Sequence, residues 1–476
     1  MERKTLMKTQ VLVIGAGASG LTAAIYAARG GCKVHILEAQ DRPAKKILAT
    51  GNGKCNYTNE KMALSCYRSA FISQAEEVLS QYPPSAAITY LKELGIWPSE
   101  RDGYYYPSSG QAASVAECLL MEAKRLGIVI HTDSPVTQVK NKNNEFIAVT
   151  SQGEHFESRV LIIAAGSLAG MKEGKLVDPQ GFCRTLGLKV QPTVPALTAL
   201  VQEKDPIGKI WSGVRVQAAV SLISDGKCMS KDKGEGQLTD YGISGIPVFQ
   251  VSRYASYSLL KKKKTEAVID FMPSMTRNEL LEELRVRAGF TERSAQGQLC
   301  GLWNSKLVHA LCKKARIAID RPMRLVDCDN LAALAKEYRI TITKTNPVSQ
   351  SQVCAGGVDL REIDPSTMEC VNVPWLYLTG EVLDVDGICG GYNLQWAWSS
   401  GYAAGSHAAA GVVQGYRKTV RGQEKQVKFS GSEGNRARGR QERKKHTYDP
   451  DQSAHTSRGS RGRGDKEKGG KALKNR

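Results

Sequence analysis

The first 38 residues carry apolar runs and a helical pattern in the order strand, helix, strand. Residues 11–14 form a short apolar run, which favours a buried parallel strand. Three glycines follow at once, and the small residues among and after them predict a helix that begins inside the glycines. A second apolar run ends at Glu38. This order predicts a βαβ unit, which is built into parallel sheets covered by helices.

Helical and strand patterns continue to about residue 195. Two helical patterns fill residues 69–95 with Pro83 and Pro84 between them, and a further helix runs to Leu126, where Gly127 stops it. Strand-like runs then predict an antiparallel ribbon, with a turn at Asn143 and Asn144, and after it a buried strand. These runs lie at residues 128–132, 136–141, 146–151 and 160–163.

The pattern changes beyond residue 195. Residues 214–224 alternate apolar and polar side chains, as a half-exposed antiparallel strand does. Thr276 and Glu279 have the spacing of a capping box, with leucines following at helical spacing, so a helix is predicted there. Further helices are predicted at 305–318 and at 330–338, the latter with Asp329 as its N-cap.

Beyond Tyr416 the apolar periodicity ends, and Arg, Lys, Gly, Ser and Gln dominate. Residues 417–476 include 19 basic and 7 acidic residues. This segment therefore contributes +12 to the chain's net charge of +19. Such a segment buries too little apolar surface to fold, so we predict a disordered basic tail. It could bind nucleic acid by counterion release, but a solubilising extension is the favoured interpretation because few aromatic residues are present to stack on bases.

Composition narrows the class of protein. No run of about 18 apolar residues is present to span a membrane. The first apolar run is broken by the glycines, so it is not expected to be a signal peptide. Twelve cysteines without a CxxC pair are typical of a reducing compartment. We therefore expect a cytoplasmic protein with no disulfide framework and no metal site.

The glycine spacing has a chemical meaning. Gly15, Gly17 and Gly20 fit GxGxxG, in which the first glycine permits a tight turn, the second admits a pyrophosphate and the third lets the helix pack on the strand. Glu38 then stands where an acid takes ribose hydroxyls in this fold. We predict a dinucleotide site, although the motif alone does not distinguish FAD from NAD.

Two further stretches carry a resemblance to a known family. Residues 41–59, DRPAKKILATGNGKCNYTN, and residues 379–405, TGEVLDVDGICGGYNLQWAWSSGYAAG, resemble the two signatures of the BaiN/RdsA (YhiN-like) group of FAD-dependent oxidoreductases. The first signature departs at Lys54, where the family usually has arginine, and the change keeps the charge but loses the bidentate fork.

The resemblance implies FAD bound in the manner of the glutathione-reductase superfamily. It places Gly380 and Glu381 near the ribityl chain and Asn393 to Gln395 beside the isoalloxazine. The small residues Ala165 and Gly166, after the strand at 160–163, resemble the superfamily's second FAD contact. The full set of expected cofactor-binding residues is Gly15, Gly17, Ala18, Ser19, Gly20, Glu38, Ala39, Lys46, Gly51, Asn52, Gly53, Cys55, Asn56, Val136, Ala165, Gly166, Gly380, Glu381, Asn393, Leu394 and Gln395.

We therefore expect an α/β protein with a Rossmann-like FAD-binding domain and inserted β-rich and helical domains. The FAD-binding domain would comprise residues 1–195 and 345–416. The β-rich insertion would occupy residues 196–273, the helical insertion 274–344 and the basic tail 417–476.

Phenols are the candidates for acid chemistry. Tyr104, Tyr105 and Tyr106 precede a loop that the resemblance places beside the active site, and Tyr392 lies next to the expected flavin ring. One of Tyr104, Tyr106 and Tyr392 is expected to act as oxyanion donor or acid, and the alternative is that these rings wall an apolar pocket. Cys55 and Cys389 could be active-site thiols, although packing against the flavin is commoner.

The resemblance implies a reductase that moves hydride from NAD(P)H through FAD onto a conjugated carbon–carbon double bond of a 3-oxo bile-acid or steroid intermediate. No second GxGxxG is present, so NAD(P)H is expected to bind transiently. A small-molecule substrate is the expected partner. The alternatives are an oxidoreductase or oxidase of another small substrate and an RNA-associated flavoprotein that uses its basic tail.

Overall fold

The computed structural model of the protein describes residues 6–142, 145–171 and 178–433, with side chains up to residue 413. The chain divides into two units, Met1–Arg417 and Lys418–Arg476. The predicted turn at Asn143 and Asn144 lies outside the described residues, as do residues 434–476 of the predicted tail.

The first part of the chain alternates strands and helices up to Ala196. Its elements are β1 Leu6–Ile14, α1 Ala18–Arg29, β2 Val34–Leu37, α2 Lys45–Ala49, β3 Thr58–Asn59, β4 Tyr67–Arg68, α3 Ser73–Gln81, α4 Pro84–Glu93, β5 Pro98–Arg101, β6 Tyr104–Pro107, α5 Ala112–Arg125, β7 Val129–His131, β8 Val136–Lys142, β9 Glu145–Thr150, β10 His155–Ile163, α6 Gly181–Thr185 and β11 Val190–Ala196.

The middle of the chain combines six strands with six helices. Its elements are β12 Leu200–Gln202, α7 Ile207–Trp211, β13 Arg215–Ser224, β14 Lys227–Leu238, β15 Gly242–Gly245, α8 Ile246–Leu260, β16 Thr265–Asp270, α9 Arg277–Ala288, α10 Ala295–Leu299, α11 Ser305–Ala315, α12 Cys328–Lys336 and β17 Tyr338–Thr345.

The last part of the chain adds strands that pair with strands of the first part. Its elements are β18 Val353–Val358, β19 Leu376–Leu378, β20 Asp386–Gly387 and α13 Tyr392–Glu433. Helix α13 extends to Glu433, so the backbone is helical in residues 417–433, which belong to the predicted basic tail. Lys, Arg, Gln and Glu there are good helix formers.

A seven-stranded mixed sheet forms the core of the first part. Its strand order is β7-β2-β1-β10-β9-β8, with β19 also paired to β10. Strands β2, β1, β10 and β19 run parallel, whereas β9 and β8 form the predicted antiparallel ribbon. The central strand β1 ends in four buried residues, because both faces of the sheet are covered at that point. The predicted Rossmann-type α/β fold is confirmed.

The inserted part is a closed barrel with helices around it. The strands follow the order β12-β15-β14-β13-β16-β17. Helices α9 to α12 lie between β16 and β17 in the chain, and they share one hydrophobic core with the barrel strands. The two insertions predicted at 196–273 and 274–344 therefore pack around a common core, and strand Tyr338–Thr345 differs from the helical prediction. Its alternating buried and exposed residues are the signal for a strand.

The structure confirms one predicted helix start and corrects another. Thr276 and Glu279 form the predicted capping box, with Leu280 and Leu284 buried. The N-cap predicted at Asp329 is wrong, because α12 begins at Cys328 and Asp329 lies in its first turn.

No helix among the described residues combines the length and the apolar content needed to cross a bilayer.

Candidate cofactor and active site

The glycine turn, residues 15–20, joins β1 to α1. Gly15 has φ +102°, and a Cβ there would collide with the carbonyl oxygen of Ala164. A Cβ on Gly20 would collide with the carbonyl oxygen of Gly15. A Cβ on Gly17, in contrast, would meet no atom within 4 Å. Gly15 and Gly20 are thus required by the chain's own packing, whereas Gly17 borders open space.

The first turn of helix α1, which follows Gly17, has backbone N–H groups without a partner in the helix. Helix α1 has no side-chain cap at its N-terminus, and its first intrahelical bond is from Leu21 N to Gly17 O. The N–H groups of Ala18, Ser19 and Gly20 therefore have no partner within the helix. Such a helix start attracts anions, and phosphates in particular.

A cavity of about 540 Å³ lies against the glycine turn. Eight of the predicted cofactor residues line it, namely Gly15, Gly17, Glu38, Ala39, Lys46, Val136, Ala165 and Gly166. The lining also includes Arg42, Ser134 and Ser167, which sequence reasoning missed. Arg42 lies inside the first quoted signature and could have been found there, whereas the two serines carry no sequence signal.

Glu38 lines this cavity and holds the glycine turn. Its Oε2 accepts from the backbone N of Ala16 at 2.7 Å, and its Oε1 accepts from the backbone N of Gln40 at 2.9 Å. Burial raises the pKa of Glu38, while these backbone bonds oppose the rise. Each oxygen keeps a lone pair for another donor, so the carboxylate can hold the turn and still accept from ribose hydroxyls.

The loop of residues 50–56 is folded through left-handed backbone. Gly51, Asn52 and Cys55 have φ between +53° and +57°. For the two residues with side chains this conformation is costly, by about 1–3 kcal/mol each, and such strain clusters at functional sites. Asn56 faces the carbonyl oxygens of Thr58 and Tyr105, to which its amide nitrogen donates. Gly53 has φ +81° and lies in the same turn.

Glu381 contacts three separate segments of the chain, two of which contribute residues to the cavity lining. Its Oε1 accepts from the hydroxyl of Ser167 at 2.7 Å and from the backbone N of Cys354 at 2.8 Å. Its Oε2 forms an ion pair with the ammonium group of Lys46. Two residues that were predicted separately, Lys46 and Glu381, therefore contact each other. Gly380 has φ +75° and lies against Ser19 of α1.

The start of helix α13 differs from the expectation for its side chains. Asn393 pairs through both amide atoms with the backbone of Gly387, at 2.8 and 2.9 Å. Gln395 is fully buried, accepts from Thr58 and donates to Tyr82 and Ser399. These amides brace loops, and Leu394 packs on the core. What the first turn offers a ligand is backbone N–H, since the first intrahelical bond is from Gln395 N to Gly391 O.

Two of the candidate phenols are open. Tyr104 and Tyr106 lie on one face of β6, whereas Tyr105 turns to the other face, with its ring 6.3 Å from that of Tyr57. The ring of Tyr104 lies beside Gly390, where an added Cβ would be 2.8 Å from its Cε1, and Tyr106 lies beside Gly51. Within the described part of the chain, neither hydroxyl has a hydrogen-bond partner. Tyr104 thus lies beside the loop of residues 387–391, and Tyr106 lies beside the loop of residues 50–56.

The hydroxyl of the third candidate phenol, Tyr392, is hydrogen-bonded within the protein. The hydroxyl of Tyr392 donates to the carbonyl oxygen of Lys61 at 3.0 Å, and Tyr67 donates to the carbonyl oxygen of Tyr392 at 3.1 Å. Tyr392 is 5% exposed, and burial raises its pKa. The structure thus gives Tyr392 a role in fixing the loop, contrary to the expectation that its proton is free for a substrate.

The two candidate thiols stay protonated at neutral pH. Burial raises the pKa of Cys55 to about 11 and that of Cys389 to about 12. A reactive cysteine needs a lowered pKa, because the thiolate is the nucleophile. The packing interpretation of both cysteines is therefore the better supported one.

The chain matches a known family and known relatives over most of its length. The profile of the HI0933-like protein Rossmann domain family matches residues 9–407. The chain is 40% identical over 409 residues to the 3-dehydro-bile acid delta(4,6)-reductase of Clostridium scindens, covering 83% of this chain and 98% of that protein. It is 29% identical over 402 residues to the ribosomal RNA dihydrouridine synthase of Haemophilus influenzae, covering 82% and 96%.

Solved structures match the chain only at low identity and with low TM-scores. A flavocytochrome c3 fumarate reductase superposes with a TM-score of 0.42 and 15% identity, covering 85% of this chain and 79% of that chain. A 3-ketosteroid-delta4-(5alpha)-dehydrogenase from Rhodococcus jostii RHA1 superposes with a TM-score of 0.40 and 13% identity, covering 85% and 97%.

Proposed function

The chain belongs to the HI0933-like Rossmann family, and on that premise we propose that it is an FAD-dependent reductase of carbon–carbon double bonds conjugated to a carbonyl group. We propose a 3-oxo bile acid or related steroid as its substrate and NAD(P)H as its transient reductant. The observation that carries this proposal is the 40% identity to the bile-acid reductase over 98% of that protein's length.

The residues present fit FAD. Gly17 borders open space beside unpaired helix amides, as a pyrophosphate requires, and Glu38 keeps acceptor capacity for the adenosine ribose. The cavity continues from there to Lys46 and Ser167, both of which contact Glu381. The first-turn amides of α13 supply a second positive helix start, suited to the anionic edge of a reduced flavin. Bound FAD would supply hydride at its flavin ring.

The chain's own task is to orient the substrate and stabilise charge. When a conjugated ketone accepts hydride at its β-carbon, negative charge develops on the carbonyl oxygen and the α-carbon needs a proton. We assign the oxyanion contact to Tyr104 or Tyr106, because each ring lies beside a predicted cofactor loop and neither hydroxyl has a partner among the described residues. A phenol donates at neutral pH without tuning, and burial raises the pKa of Tyr106 further.

We expect Glu38→Ala to weaken FAD binding about tenfold or more. The variant loses charge-assisted hydrogen bonds worth about 1.5–3 kcal/mol, and 1.4 kcal/mol corresponds to tenfold in affinity. Fluorescence titration of the apoprotein with FAD measures the change. Glu60→Ala is the matched control, because Glu60 is an exposed acid outside the cavity lining. Equal FAD affinity in the two variants would show that Glu38 does not contact the cofactor.

Turnover tests the reaction itself. We expect the holoenzyme with NADH or NADPH to convert a 3-oxo bile acid bearing 4,6 double bonds into a product two hydrogens heavier by mass spectrometry. If this substrate does not react but simpler conjugated ketones do, the proposed reaction class is supported and the proposed steroid substrate is contradicted.

A second candidate substrate is a uridine in ribosomal RNA. It is favoured by the identity to the ribosomal RNA dihydrouridine synthase and by the net charge of +19. The chemistry is of the same class, since the 5,6 double bond of uracil is conjugated to a carbonyl group. Incubating the protein with ribosomal RNA and NAD(P)H, with and without residues 434–476, separates the candidates. Dihydrouridine formed by the full chain would establish the RNA substrate, and its absence together with steroid turnover would exclude it.

A further inference from the structure

A buried ion pair joins the barrel to the second cofactor segment. Asp386 of β20 is 2% exposed, and Arg253 of helix α8 reaches it from the barrel side. Nε and Nη2 of Arg253 lie 3.1 and 3.0 Å from Oδ1 of Asp386. Sequence reasoning missed this pair, because the two residues are 133 positions apart.

Both guanidinium nitrogens converge on one carboxylate oxygen. An arginine that only holds an aspartate typically forms a fork, with one bond to each oxygen. Here Oδ2 of Asp386 has no hydrogen-bond donor among the residues that the structure describes. Oδ1 of Asp386 is held in place by Arg253, and Oδ2 is the oxygen that can carry a proton.

Asp359 shows the contrasting, closed arrangement in the same protein. Its side chain is 1% exposed, and Arg361 donates to both of its oxygens, at 3.1 and 2.8 Å, while Gln191 donates to Oδ2. The pKa of Asp359 is lowered, because the bonds from Arg361 and Gln191 outweigh burial, which acts to raise it.

The pKa of Asp386 moves in the opposite direction. Burial raises it to about 6, although Arg253 and, from β4, Arg68 act to lower it. Asp384 on the same segment also faces Asp386 and acts to raise the value. A carboxyl group that titrates near the working pH is suited to proton transfer.

The position of Asp386 ties it to the flavin-side loop. The next residue, Gly387, is fixed to the first turn of α13 by both amide atoms of Asn393. Helix α8 makes a second contact there, since Gln250 accepts from the backbone N of Cys389 at 3.2 Å. Asp386 therefore lies where helix α8 meets the loop of residues 387–391, and the ring of Tyr104 lies against Gly390 of that loop.

We propose that Asp386 donates the proton taken up by the α-carbon of the substrate, and that Arg253 is its positioning residue. This role rests on the proposed function, and it adds an acid distinct from the phenol that stabilises the carbonyl oxygen.

The step balances in electrons and protons. A C–H bond forms at the β-carbon with hydride, and the electron pair of the double bond moves toward the carbonyl group as an enolate. The α-carbon then forms its C–H bond as the O–H bond of Asp386 breaks, leaving a carboxylate. Both electrons and one hydrogen come from the reduced cofactor, and solvent water reprotonates Asp386.

Infrared spectroscopy tests the acid without turnover. We expect the C=O stretch of a protonated carboxyl group to disappear as pH rises through about 6 in the parent protein, and to be missing in Asp386→Asn. Asp359→Asn is the matched control, because Asp359 is equally buried and also paired with arginine. The band should persist in that control. A spectrum in which no carboxyl band depends on Asp386 would overturn the proposal.

Single turnover tests the proton transfer. We expect Asp386→Asn to slow anaerobic reoxidation of the reduced enzyme by the 3-oxo-4,6-diene about 10²-fold, with reduction by NAD(P)H unchanged. The Asp359→Asn control should react at the parental rate. If the parent reacts and Asp386→Asn matches it, the role of Asp386 is wrong while the proposed function stands. If the parent reacts with no conjugated ketone, the proposed function fails and this inference fails with it.

Arg253→Lys covers the case in which Asp386→Asn does not fold. The substitution keeps the charge but loses the two-nitrogen contact, so the midpoint of the pH–rate profile should shift. A profile identical to that of the parent would contradict the coupling of Arg253 to the proton donor.

Discussion

Gly17→Val should give a folded protein without flavin. Gly17 has φ −80° and ψ −170°, a conformation open to any residue, and a Cβ there meets no protein atom within 4 Å. The valine side chain therefore costs the fold little, and it occupies the space that we assign to the pyrophosphate. We expect FAD affinity to fall about 10²-fold or more, which corresponds to roughly 2.7 kcal/mol.

Gly15→Val is the informative comparison. Gly15 has φ +102°, and its Cβ would collide with the backbone of Ala164, so this variant should lose stability itself. The ratio of flavin absorbance to protein absorbance, measured beside the thermal unfolding midpoint, separates the two effects. A Gly17→Val protein that unfolds at the parental temperature and retains full FAD would show that no pyrophosphate lies at the glycine turn.

Removing a phenolic hydroxyl should slow the reaction with substrate and leave the reaction with NAD(P)H intact. Tyr104→Phe or Tyr106→Phe deletes a hydroxyl that has no hydrogen-bond partner among the described residues, so we expect the ring packing to be preserved. Loss of one oxyanion donor typically lowers the rate about 10²-fold or more. Stopped-flow reoxidation of the reduced protein by a conjugated ketone measures this step separately from reduction.

Tyr392→Phe serves as the matched control for these variants. It removes the bond to the carbonyl oxygen of Lys61, so we expect a stability loss of about 1 kcal/mol and a much smaller change in rate. Parental reoxidation rates in both Tyr104→Phe and Tyr106→Phe would mean that the phenols only wall the pocket, and that backbone amides or water contact the carbonyl oxygen.

Local patterns were enough to predict much of the fold. The glycine spacing, the apolar strand before it and Glu38 after it are close in sequence, and the structure brings them together as one βαβ unit. The capping box at Thr276 is similarly local. The barrel was harder to predict, because β17 pairs with β12 and β16 only after the long helical segment between β16 and β17.

The site was predictable as a set of loops but not as a set of contacts. The motif residues Lys46 and Glu381 come from distant stretches, and no sequence spacing indicates that they form an ion pair. The amide groups of Asn393 and Gln395 could not be assigned from the sequence, since their partners Gly387, Thr58 and Tyr82 depend on how the loops pack. The ion pair of Arg253 and Asp386 could not be predicted either, because it also depends on how distant segments pack.

Anaerobic mixing of the reduced holoenzyme with a 3-oxo bile acid bearing 4,6 double bonds tests the central claim most directly. The account predicts that the flavin absorbance returns in one fast phase, and that one double bond is reduced for each flavin reoxidised. Flavin that stays reduced in the presence of this and other conjugated ketones, yet reoxidises rapidly with dioxygen alone, would contradict it and indicate an oxidase.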